Sequence, residues 1–258
     1  MRFFREGLAI LLITIGGFNS AAAQVPPLPP GFVHLRLRAP SVIQDIRYAG
    51  AHNFIGRPIE GYGAAECILT ERAAQALSAA QAGLAKMSLS FIVWDCYRPT
   101  QAVADFLAWS KDARDTRMKA EFYPRTDKTR LFSLGYLATR SAHSRGSTVD
   151  LALVPLDLKS PPPYDPRVPL QPCTAPRHER FDDGTLDFGT GYDCLDPAAG
   201  TSALSVGSAA VENRRLLRAV MERQGFRPYV KEWWHFELID EPFPTRSFDF
   251  PIVEPKGR

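Results

Sequence analysis

Residues 141–154 read SAHSRGSTVDLALV. The second half, Thr148 to Val154, is a short apolar run rich in β-formers, which predicts a strand buried in a sheet. Asp150 interrupts that run between Val149 and Leu151. A carboxylate inside a buried strand is costly unless it is paired, hydrogen-bonded or bound to a metal. The first half holds His143 and then Gly146, a turn residue that lets the chain fold back and bring the imidazole beside Asp150.

Further strands are predicted at Leu89 to Cys96 (LSFIVWDC) and Trp233 to Ile239 (WWHFELI). Thr70 caps a predicted helix from Glu71 to about Met87, and Pro99 sits in the first turn of another running to about Arg114. A short helix is expected around Asp127 to Leu134. Asn213 to Gln224 is amphipathic and stops at Gly225, the residue type favoured just past a helix end. Residues 41–63 read as short strands and loops. Prolines crowd residues 155–185, which excludes regular structure there and suggests a surface insertion. Strands and helices interleave without a βαβ rhythm, repeat or internal linker. The predicted fold is therefore α+β: a single domain whose central, antiparallel-rich sheet is flanked by helices.

The chain has 258 residues, 45% hydrophobic and 23% charged, with a formal net charge of +3. That composition suits a globular protein and excludes disorder, collagen-like repeats and coiled coil. So even a balance offers no basis for nucleic-acid binding. Arg2 and Arg5 precede an apolar stretch from Leu8 to Phe18, and Ala21-Ala22-Ala23 then lead into Gln24. This is the pattern of a secretory signal peptide, residues 1–23, with too short an apolar core to span a bilayer, which takes about 20 residues. Residues 24–40 follow as an extended, Pro-rich segment, and 41–258 as the domain. The expected location is exported, in a bacterial periplasm, with no stable membrane insertion. In such a compartment the four cysteines are expected to pair. Three connectivities exist; Cys67–Cys96 and Cys173–Cys194 are favoured, the second closing the Pro-rich excursion.

Histidine is scarce, yet two of the five fall in unusual company. His143 stands seven residues before Asp150, and His235 ends Glu232-Trp233-Trp234-His235 within a strand. Two imidazoles and one carboxylate suit Zn²⁺, with a fourth position left for water, and Glu232 is placed to act as a general base. Arg98, fixed in direction by Pro99, could stabilise an oxyanion. Each residue also has an ordinary reading: a satisfied core histidine, a turn-capping aspartate, a structural salt bridge. It is their conjunction that points to a metal site.

Together, Ser141-x-His143-Ser144-Arg145-Gly146-x-x-x-Asp150, Glu232-Trp233-Trp234-His235 and Asp95-x-Tyr97-Arg98-Pro99 resemble the zinc D-alanyl-D-alanine dipeptidases. Asn213-Arg214-Arg215 and Phe248-Asp249-Phe250-Pro251 add to the likeness, which runs from about Asp45 to Pro251. That family shares a fold with D,D-carboxypeptidases and the hedgehog signalling domain. The resemblance implies one zinc per chain held by His143, Asp150 and His235, Glu232 as catalytic base and Arg98 as the transition-state arginine. It further implies Ser141, Tyr48 and Asp193 around a bound dipeptide, D-Ala-D-Ala, with Asp193 meeting the ammonium. Two neighbouring activities stay open: D,D- or L,D-carboxypeptidase trimming of longer peptidoglycan peptides, and a non-catalytic, hedgehog-like zinc module. The signal peptide, the cysteines and the 155–185 insertion depart from shorter members.

Overall fold

In the computed structural model residues 27–255 are described; the signal-peptide reading of residues 1–23 lies outside them. Strand β1 (Phe32–His34) is followed by β2 (Ile43–Gln44), β3 (Ile68–Thr70), helix α1 (Glu71–Ala85), β4 (Leu89–Asp95), α2 (Thr100–Lys111) and the single turn α3 (Lys119–Phe122). After a long loop come β5 (Thr148–Pro155), α4 (Ser208–Glu222), β6 (Phe226–Tyr229) and β7 (Glu232–Leu238). Five strands form one sheet in the order β2-β4-β5-β7-β6, antiparallel except for the β2–β4 pair. The fold is thus α+β with an antiparallel-rich sheet.

The middle strands explain themselves. β4 is buried at every position after Leu89, and β5 is buried from Thr148 to Val154, so each carries an almost unbroken apolar run. α1 offers Ala73, Ala74, Leu77, Ala80 and Leu84 at helical spacing to the core, and the Thr70 hydroxyl accepts from the Ala73 amide as its cap. Packing of α1 against β4 and α4 against β6, with the two helices touching, clads the sheet.

Several expectations shift. Part of the segment read as extended packs into the fold: β1 (Phe32–His34) pairs antiparallel with β3, and Leu35 is fully buried. The α4 helix starts at Ser208, five positions before the charged amphipathic run, because the small, helix-compatible SAAVE stretch extends it back to Gly207 (φ 87°). α2 ends at Lys111, before Arg114, and Pro99 is its cap. Between Asp127 and Leu134 only a 3-10 turn forms, Lys128–Arg130, capped by Asp127. β6, interrupted in sequence by Pro228, has no counterpart among the predicted strands; as an edge strand it tolerates the proline.

Residues 156–196 hold no helix or strand, as the prolines predict. The stretch is nevertheless tied down. The Leu186 amide bonds the Leu153 carbonyl on the side of β5 that β7 leaves free. The buried Arg214 of α4 donates to the carbonyls of Phe188, Ala198 and Gly200. Cys173–Cys194 and Cys67–Cys96 are both formed, matching the favoured pairing. No helix of the described residues is long and apolar enough to cross a membrane.

Candidate active site

Three strands carry the centre of the site. Asp150 of β5 stands opposite Asp95 of β4 on one side and His235 of β7 on the other, so one row across the sheet bears two carboxylates and an imidazole. The β4 register shifts between Val93 and Asp95, a bulge of the kind that re-aims side chains beside active sites. His143 arrives from the 3-10 turn Ala142–Arg145 that leads into β5. The Ser141 hydroxyl caps that turn by accepting the His143 amide, and Gly146 ends it in the left-handed region (φ 81°). Only glycine fits there, since a Cβ would lie 2.2 Å from the Phe32 ring.

His143 Nε2, His235 Nδ1 and Asp150 Oδ1 form a near-equilateral triangle with sides of 3.2, 3.1 and 3.3 Å. All three residues are buried. Asp150 Oδ1 accepts no hydrogen bond despite its depth. The rest of each group is held from behind: His143 Nδ1 donates to the Cys96 carbonyl at 2.7 Å, Asp150 Oδ2 accepts from Tyr192 Oη at 3.0 Å, and His235 Nε2 faces Glu237 at 3.7 Å. Such backing fixes which imidazole nitrogen faces inward.

Glu232 Oε2 lies 3.7 Å from His235 Nδ1. Burial pushes its carboxyl up to about 7, with the Asp150 charge adding to the effect and His235 opposing it. Burial disfavours charge on His235 too, but Asp150 and Glu237 outweigh it and raise the imidazole to about 10. Asp150 is likewise buried, yet the two imidazoles hold its carboxyl well below the usual range. Arg98 is clamped by Asp95 through Nε (2.9 Å) and Nη2 (2.8 Å), with Nη1 3.4 Å from Ser141 Oγ and Nη2 3.9 Å from Asp150. Its guanidinium also lies 5.1 Å from the Tyr48 ring. Tyr48 Oη donates to Asp193 Oδ2 at 2.8 Å. Asp193 adopts a left-handed backbone (φ 54°), and burial with Asp150 nearby lifts its carboxyl well above the normal range.

All eight residues singled out in the sequence line one cavity of about 330 Å³. A wider surface cleft, about 750 Å³ between Arg125, Tyr136 and Lys231, contains none of them. Sequence reasoning quoted Asp95 in a motif but gave no role to it or to the other residues that hold the eight in place. Asp95, fully buried, accepts from Tyr62 Oη and the Cys96 amide while clamping Arg98; Tyr192 and Glu237 complete the backing. Asp95 carried a signal, a carboxylate ending an apolar strand, whereas Tyr192 and Glu237 carried none.

With this geometry in hand, comparison with known proteins is informative. The family profile described as D-Ala-D-Ala dipeptidase matches residues 30–161 and 177–253. The chain belongs to the D-Ala-D-Ala dipeptidase family. These metallopeptidases include a D-alanyl-D-alanine dipeptidase of Enterococcus faecalis, 36% identical over 86% of this chain and 98% of that one. Another from Streptomyces coelicolor is 38% identical over 81% and 92%, and one from Escherichia coli 30% identical over 80% and 83%. Residues 162–176, which the profile of the dipeptidase family skips, fall inside the Pro-rich insertion. Among solved structures, a zinc complex of a variant of the vancomycin-resistance D,D-pentapeptidase VanY aligns with a TM-score of 0.36 and 14% identity, covering 72% of this chain and 81% of that one. That likeness is too slight to carry an argument.

Proposed function

We propose that this protein hydrolyses the dipeptide D-Ala-D-Ala with the help of one bound Zn²⁺, in the turnover of cell-wall peptides. One observation carries the reading: the convergence of His143 Nε2, His235 Nδ1 and the unpartnered Asp150 Oδ1 on one point beside Glu232 and Arg98. Ligands of a tetrahedral zinc at ~2.05 Å stand about 3.3 Å apart, close to the sides of this triangle. A buried carboxylate oxygen with no hydrogen-bond donor fits a role as a cation's ligand. The two imidazole nitrogens and Oδ1 would hold the ion, which supplies Lewis acidity toward the scissile carbonyl and the attacking water.

The chain's own groups supply the rest. Glu232 takes a proton from the attacking water and later delivers it to the leaving amine, a task for which its carboxylate, 3.7 Å from His235 Nδ1 at the edge of the triangle, is placed. Arg98, immobilised by Asp95, presents a fixed cation to the developing oxyanion, and such a donor is worth about 3 kcal/mol. Asp193 is a buried carboxyl whose hydrogen-bond partner is neutral Tyr48, so a substrate ammonium would supply the missing counter-charge. Tyr48 and Ser141 bound the space between. The N-terminal pattern of residues 1–23 and the two disulfides support export to an oxidising compartment, the periplasm.

Glu232→Ala tests the reading. The variant is expected to retain zinc by metal analysis and to lose turnover in a panel of D,D- and L,L-dipeptides. Near-normal hydrolysis of D-Ala-D-Ala by it would remove the mechanism. Release of D-Ala from a pentapeptide, with the dipeptide left intact, would replace dipeptidase by carboxypeptidase.

A further inference from the structure

A dipeptide carries a charge at each end, and the groups named so far answer only the ammonium. Four guanidinium groups line the cavity: Arg98, Arg140, Arg145 and Arg227. Three are engaged. Arg98 is held by Asp95, Arg145 by Glu241 (2.8 Å) with Glu237 at 3.5 Å, and Arg227 by Glu237 at 2.8 Å. Arg140, by contrast, makes no ion pair and no side-chain hydrogen bond with any described residue, and it is exposed to solvent at the cavity.

A chain of contacts runs from the Asp193 end of the cavity to Ser141, the residue that follows Arg140 in sequence. Asp193 bonds Tyr48, Tyr48 lies under Arg98, and Arg98 reaches Ser141 Oγ, the side chain next in sequence to Arg140. The His143–Asp150–His235 triangle meets this chain at Arg98, 3.9 Å from Asp150. The cavity that holds the reacting centre is therefore lined by a buried carboxyl, Asp193, and by a guanidinium without a partner, Arg140. We propose that Arg140 binds the free C-terminal carboxylate of the substrate and so makes the enzyme select peptides that end at the second residue. This rests on the dipeptidase reading above and adds the group that measures substrate length. A planar guanidinium matches a carboxylate in a two-pronged contact, and its freedom from internal partners means that nothing need be broken for it to bind.

The test compares D-Ala-D-Ala with its C-terminal amide, using zinc-loaded wild type, Arg140→Ala and Arg140→Lys. Wild type is expected to prefer the free acid. In Arg140→Ala the KM for the acid rises about tenfold, the loss expected for one charge-assisted contact, with kcat little changed, so the preference for acid over amide collapses. Arg140→Lys recovers part of it. Added salt raises the wild-type KM for the acid but not that of Arg140→Ala. A preference for the acid that survives Arg140→Ala overturns the proposal, as does an equal loss on both substrates. Wild type that cleaves acid and amide alike defeats this proposal while leaving the dipeptidase reading standing. Wild type that cleaves neither defeats both.

Discussion

Replacing Asp95 by asparagine removes one negative charge from beneath Arg98 while keeping the side chain's shape. Asp95 Oδ1 accepts from Tyr62 Oη at 2.6 Å and from the Cys96 amide at 2.9 Å, and an asparagine oxygen can continue both. Oδ2, which faces Arg98 Nε and Nη2, becomes an amide that repels them. Arg98 is then left with Asp150 at 3.9 Å as its nearest carboxylate, and it is drawn toward that side of the triangle. Removing one partner of a buried pair costs about 3 kcal/mol, a fall in Tm of roughly 6–12 °C for a chain of this size. Losing the aim of an oxyanion donor costs about 100- to 1,000-fold in kcat. If Asp95 acts through Arg98, then Asp95→Asn, Arg98→Ala and the double variant should show similar losses in kcat, without addition. Steady-state kinetics on D-Ala-D-Ala, with zinc content measured on each sample, decide the matter. The reasoning is refuted if Asp95→Asn keeps kcat within threefold of wild type, or if the two losses multiply.

Two further outcomes follow from named groups. In metal-free protein His235 binds a proton up to about pH 10, against about 6.5 unfolded, so its stabilisation is whole below 6.5 and is lost as pH climbs toward 10. Glu232, raised to about 7, acts in the same sense between 4.5 and 7, while His34 and His52, depressed by burial, finish titrating below pH 6.5. Chelator-treated protein should therefore lose stability as pH rises from 7 to 9, and the rise in Tm on adding zinc should grow across that window as the imidazole sheds its proton. A chelated Tm that climbs with pH contradicts this. Gly146→Ala, strained at φ 81° and driven into Phe32, should lose about 2–5 kcal/mol in denaturant unfolding and weaken zinc binding through His143; wild-type behaviour in both would count against the turn's role.

The His143–Asp150–His235 triangle was readable from sequence because a charge in an apolar strand contradicts its surroundings: Asp150 between Val149 and Leu151, and His235 between Trp234 and Phe236. Such contradictions are local and survive without coordinates. The roles of the supports were not readable, even for Asp95, whose place at the end of an apolar strand was visible. Asp95 reaches its position through a bulge and a cross-strand register, and Tyr192 comes from an irregular loop held by Arg214 and a disulfide. No spacing in the chain encodes these meetings. The sheet's central strands were legible from their apolar runs. β1 and β6 were not, since a three-residue edge and a proline-bearing edge lack the periodicity that announces a strand.

The row Asp95–Asp150–His235 has a bearing on how the protein reaches its native state. Side chains alternate across a sheet, so sliding β5 by a single residue against β7 would turn Val149 or Leu151 toward the imidazoles and send the carboxylate to the far face. A misaligned sheet would then have no affinity for the ion. With zinc held as proposed, binding free energy would fall on the correct alignment alone, and the site would proofread its own scaffold.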